Sequence, residues 1–133
     1  MPGIITASAH TLLDWIFRQG AMTPPATLYM GLFSTMPDDA GASGVELSGT
    51  GYARKTLAAA IWTAAASRKV VNTADIEFTA AAGAAWGTAI GFGLFPASTG
   101  GTAFWKGTFP QGLPITLNLP VIFAATKVEL SIN

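Results

Sequence analysis

Few residues in this chain of 133 amino acids could do chemistry. His10 is the only histidine, so any Ser-His-Asp arrangement would rest on it alone. It stands at the start of an amphipathic segment, where a surface or interface histidine is expected. Ser43, in Gly41-Ala42-Ser43-Gly44, lacks the fifth-position glycine of a nucleophile elbow and reads as a turn serine. Paired carboxylates can cleave a glycosidic bond or hold a hard cation. Asp38 and Asp39 are adjacent in a loop without the ligand spacing of a calcium loop, and Glu46, Asp75, Glu77 and Glu129 are scattered along segments that look solvent-facing. Gly91-Phe92-Gly93 lacks the third glycine and the following helix of a dinucleotide loop. The absence of cysteine removes disulfides, thiolate metal sites and cysteine nucleophiles together. The sequence therefore predicts no catalytic, cofactor or metal site, and the expectation is a protein that is not an enzyme.

The aromatics are the next candidates. Trp62 and Trp105, if exposed, would form a sugar-stacking platform, as in a carbohydrate-binding module that recognises host-surface glycans. The competing reading makes the four tryptophans and eight phenylalanines core or interface anchors.

Charge narrows the classes further. Seven Lys plus Arg and seven Asp plus Glu cancel to zero, so no basic surface exists to neutralise phosphates, and a nucleic-acid partner is excluded. Charged residues make up 11% of the chain, against about 25% in an average soluble domain. A compact monomer of this mass exposes roughly 6,600 Å², or about one charge per 470 Å². Such a surface tends to associate, and copies of the chain or partner subunits are expected to cover it. No run approaches the roughly 18–20 apolar residues of a spanning helix, and the N-terminus lacks a signal peptide's basic region and apolar core, so no membrane partner is expected.

These candidates need a scaffold. The only strong helical period lies early: Leu12, Leu13, Trp15, Ile16 and Phe17 predict an amphipathic helix over residues 7–19, with Thr6 or Ser8 as N-cap and Gly20 at C′. Its apolar arc is wide for so short a helix. After Pro24-Pro25 the pattern changes to short strands separated by turn residues. Strands are predicted at 26–34, which is apolar on both faces, and at 51–57, 61–63, 76–79, 87–95, 102–109, 115–119 and 127–132, with Val70-Val71 leading into a turn at Asn72-Thr73. Residues 110–114 are expected to break the chain. The Ala-rich stretch near 80–85 leaves a short helical turn as an alternative. The expected fold is an all-β antiparallel sandwich, jelly-roll-like, over residues 23–133, preceded by an N-terminal helical arm over 1–22.

Three blocks then carry a resemblance. Leu28-Tyr29-Met30-Gly31-Leu32-Phe33-Ser34, Gly44-Val45-Glu46-Leu47-Ser48-Gly49-Thr50-Gly51-Tyr52-Ala53-Arg54, and Trp86-Gly87-Thr88-Ala89-Ile90-Gly91-Phe92-Gly93-Leu94-Phe95 resemble small virion proteins of tailed bacteriophages, of the tail fibre or capsid decoration (cement) type. The resemblance runs in order from about residue 24 to the C-terminus. It implies a β-sandwich structural module located in the virion, a homo-oligomer with a trimer as the expected state, in contact with other virion proteins such as capsid or tail subunits. Expected interface residues are Leu12, Trp15, Ile16 and Phe17 on the helix, Tyr52 with Arg54, whose guanidinium would pair with a carboxylate across the interface, and Trp86 and Phe92. The last two lie in the uncharged region from Thr79 to Thr102, where neighbours are expected to touch.

Overall fold

The computed structural model describes residues 3–80, 84–116 and 119–132. The chain opens with a two-residue strand, β1 (Gly3–Ile4), and passes directly into α1 (Thr6–Phe17). Neither Thr6 nor Ser8 caps this helix; the N-cap is Ile5, which offers no side-chain acceptor. Tertiary contacts fix the helix start instead: Ile5 is fully buried, its amide donates to the Phe104 carbonyl at 3.0 Å, and the Thr6 amide donates to Asp39 at 2.9 Å. At the other end the Arg18 and Gly20 amides both donate to the Asp14 carbonyl. Gln19, at φ 54°, takes the left-handed position expected for Gly20.

The remaining elements are strands: β2 (Leu28–Thr35), β3 (Val45–Glu46), β4 (Lys55–Leu57), β5 (Lys69–Val71), β6 (Ile76–Thr79), β7 (Gly87–Phe95), β8 (Trp105–Ile115), β9 (Pro120–Phe123) and β10 (Glu129–Ser131). A six-stranded antiparallel sheet runs β1-β8-β7-β2-β3, with β4 also on β2. Two ribbons, β5 with β10 and β6 with β9, form the opposing layer. The all-β sandwich is thus present, with unequal layers.

β2 is apolar on both faces, as predicted, because it is central. Met30 and Leu32 face the main core, which also holds Leu57, Ile76, Phe78, Phe92, Leu94, Ile115, Val128 and Leu130. Phe33 faces a smaller cluster with Ile5, Phe95 and Ala103 on the sheet's other side. Gly31 and Gly93 pair directly across β2 and β7. A Cβ on Gly31 would lie 2.6 Å from Glu46 Oε1, and one on Gly93 would lie 2.9 Å from the Phe33 ring. Glycine is therefore required on this face by what packs over it.

Several expectations need correcting. Residues 110–114 do not break the chain: β8 runs through both prolines, and the pairing steps from Gly91↔Thr108 to Ala89↔Leu113. Residues 109–112 therefore bulge opposite Ile90, which lets Pro110 sit where no ladder amide is needed. Residues 59–61 form a 3₁₀ turn, and Trp62 makes only an isolated bridge to Asn72. The strand at 51–57 shrinks to β4. Part of the predicted strand 115–119 and of the alternative turn near 80–85 lies outside the described residues. Asn72 is fully buried. Its amide group donates to the Ala74 and Ala124 carbonyls and its Oδ1 accepts from the Val128 amide, tying the two ribbons together.

Candidate assembly surfaces

α1 contains no buried residue. Ser8, Ala9 and Leu12 are half-buried on its inner side. There Leu12 lines a groove of about 370 Å³ with Ile4, Met22, Pro24, Phe104 and Trp105. Leu12 thus turns toward its own subunit rather than outward. The last turns are different: Leu13, Trp15 and Ile16 are each about half exposed, and Phe17 is 77% exposed. His10 is also exposed on this helix. The subunit exposes 7656 Å², about 1,000 Å² more than a compact monomer of its mass.

The other expected interface residues fall inside the subunit. Trp86 and Phe92 are each 6% exposed and belong to the main core. Trp86 packs edge-on against Tyr52 and donates its indole N–H to the Thr50 carbonyl at 3.1 Å. The uncharged stretch from Thr79 to Thr102 owes its composition mainly to β7, whose side chains fill both faces of the sheet.

Tyr52 and Arg54 form an internal network. β2 changes partner from β3 to β4, and at this change the Leu32 amide donates to the Tyr52 hydroxyl at 3.0 Å. The hydroxyl in turn donates to Glu46 Oε1 at 2.7 Å. Arg54 grips both oxygens of Glu46, with Nε and Nη2 at 2.9 and 2.8 Å. It also donates to the Ala97 and Gly100 carbonyls and lies 3.4 Å over the Phe95 ring. With its side chain only 7% exposed, Arg54 finds its carboxylate within the chain and not across an interface. Burial, reinforced by the bond to Glu46, pushes the Tyr52 phenol well above its ordinary value. Glu46, read from sequence as a solvent-facing acid, is the centre of this network. Its signal was an arginine two residues from a tyrosine, a spacing that puts both side chains on one side of an extended segment.

Trp62 and Trp105 are half-buried and pack against the main core. Both indole nitrogens are buried without an acceptor, so the polar edges a sugar hydroxyl would meet are sealed. Trp105 nevertheless lines a second groove of about 440 Å³, with Val70, Leu130 and Ile132. Ile132, Leu119, Ile122 and Val45 are apolar residues left about half exposed or more that the sequence did not single out.

The loop acids serve structure. Asp38 accepts the Ala40 and Ala42 amides, and the Ala42 bond in particular holds its carboxyl below the ordinary value. Asp39 pairs with Lys106 at 2.8 Å, and Ser43 adopts a left-handed turn at φ 62°. Among the described residues no three His, Asp or Glu side chains gather around a common point suited to a metal ion, and no helix is long and apolar enough to cross a membrane.

A family model for the podophage GP4 fiber I protein gp80 matches residues 3–131. No curated protein matches the chain.

Proposed function

The chain belongs to the podophage GP4 fiber I protein gp80 family and is a structural protein of the phage virion; from that premise we propose that it is a fibre subunit which joins its neighbours through the exposed apolar half of α1. It acts by contact rather than by catalysis. One observation carries this reading: Leu13, Trp15, Ile16 and Phe17, four apolar side chains in the last turns of a helix with no buried residue, all remain about half exposed or more. Hydration of such a surface is unfavourable, and its removal from water is the main driving force of association. The neighbours are copies of this chain, with a trimer as the expected closed state, and adjoining virion proteins. A fibre role is preferred to capsid decoration because the matched family is one of fibre proteins.

Sedimentation of the intact chain from micromolar to near-millimolar concentration tests this. Association is expected, and a Trp15→Ser, Phe17→Ser variant should sediment as a 13.7 kDa monomer with unchanged β-sheet circular dichroism. A wild-type chain that stays monomeric throughout overturns the reading.

A further inference from the structure

We propose that the exposed end of α1 from one copy seats in the groove beside Trp105 of the next copy, so that subunits join head to tail. This rests on the reading of α1 as an assembly element and names the surface that receives it.

Trp105 stands between two grooves. One is bordered by the inner side of the chain's own α1, through Leu12 and Ser8. The other has an apolar floor of Val70, Trp105, Leu130 and Ile132, with Arg68 and Lys69 also lining it. Its volume of about 440 Å³ lies within the ~300–1,000 Å³ of pockets that hold sizeable groups. The chain's own helix leaves this second groove empty, since Leu13 to Phe17 are exposed. A second copy can supply Leu13 and Phe17 there, which stand one turn apart on the same face of the helix.

Charge favours this pairing. Asp14 is the only acid in α1, and its contact with Arg18 is long, at 3.6 Å, and exposed on both sides. Arg68 makes no ion pair among the described residues, while Lys69 is held by Glu129 at 3.0 Å. Asp14 therefore has a cation to meet at the groove. The turn that presents Arg68 is itself unusual: Ser67 and Arg68 both lie in the left-handed region, at φ 52° and 63°, inside a two-residue hairpin closed by reciprocal Ala66 and Lys69 amide bonds. Asn-Gly is the usual solution for such a turn. Retaining an arginine there has a conformational cost, the kind of strain that accompanies functional positions.

Each head-to-tail contact is small, since the exposed side chains of the helix end supply roughly half of the ~800 Å² that a partner contributes to a standard-size contact. In a closed ring every subunit uses its helix once and its groove once, in two separate contacts, and both must open before it leaves. A contact between unlike surfaces closes into a ring when its rotation divides a full turn.

The chain has no cysteine, so engineered thiols give a direct test. Phe17→Cys and Ile132→Cys variants are prepared separately and mixed under mild oxidation. A disulfide-linked dimer that forms in the mixture, and in neither variant alone, is expected. Self-linking of Phe17→Cys would show helix-to-helix packing and overturn the groove assignment. Closure within one chain of the double variant would overturn it too, by showing that the helix folds onto its own groove. Absence of any link, with the wild-type chain still associating through Trp15 and Phe17, would overturn the groove but leave the assembly reading intact. A monomeric wild-type chain would overturn both. In a second arm, Asp14→Arg and Arg68→Asp should each weaken association by roughly two- to five-fold, and combining both substitutions in one chain should restore it, because every contact of the ring then carries the reversed pair. Failure of the double variant to recover would overturn the Asp14–Arg68 contact.

Discussion

α1 and β7 read alike in sequence, each with apolar residues on more than one face, yet they meet opposite fates. β7 is paired on both edges, by β2 and β8, and covered on both faces, so Phe92 and Leu94 are sealed in one core and Phe95 in the other. α1 is half-buried at Ser8, Ala9 and Leu12 and fully buried nowhere, and its last turns leave four apolar side chains about half exposed or more. Both-sided apolarity thus marks a segment that must be surrounded without saying by what. Where the same chain provides two layers the segment stabilises the monomer; where it provides one, the second must come from a neighbour.

The contrast can be broken first at its strongest point. Leu94→Ala, at a position with no exposure, should lower unfolding stability by about 2–5 kcal/mol in denaturant titrations. An effect under about 1 kcal/mol would mean that β7 is not the interior the comparison requires. Glu46→Ala should follow at about 2–3 kcal/mol, somewhat less than a fully buried pair because the Glu46 side chain keeps 24% of its exposure, since it strands Arg54 over Phe95. Tyr52→Phe leaves the Leu32 amide and Glu46 Oε1 each short of a partner, for about 1–2 kcal/mol. It also carries a pH signature. The folded state holds the Tyr52 proton above the ordinary value of 10.0 at which the unfolded chain releases it. The wild type should therefore lose stability as pH rises past about 10, and the phenylalanine variant should lose less, as followed by thermal melts across the alkaline range. The smallest effect is expected in α1: Phe17→Ser should change the stability of the dilute monomer by no more than about 0.5 kcal/mol. A large loss there would place Phe17 in the fold and remove the contrast.

What was legible in sequence follows the same division. β6 and β7 are predicted to the residue, because period-two alternation bounded by turn residues is a local signal. β9 was missed: it starts with a proline and its side chains alternate between exposed and half-buried, so no buried face announces it. β1 and β3 are two residues each, too short for any period. The bulge in β8 was read as a break because Pro110, Gly112 and Pro114 carry the vocabulary of a turn, and only the partner strand shows that the ladder resumes. The helix and its wide apolar arc are legible, but which of its residues turn inward depends on where Ile5 is pinned by Phe104 and Thr6 by Asp39. The Glu46–Tyr52–Arg54 network was split between solvent and interface. An ion pair across eight residues of loop depends on the change of partner along β2, which no local pattern encodes.

The strands at the margins of the large sheet, Gly3–Ile4 on one side and Val45–Glu46 with Lys55–Leu57 on the other, are its shortest. A weakly charged protein with a long bare edge would polymerise by adding strand to strand, and that route has no natural end point. On the first side Gly3–Ile4 covers only Trp105 and Lys106 of β8, and the rest of that edge is interrupted by Pro110, Pro114 and the bulge between them, so it lacks the unbroken row of free amides and carbonyls that templates such growth. Self-association is left to side chains, whose shapes fit only in defined places, and a finite assembly can form where an amyloid-like ribbon otherwise would.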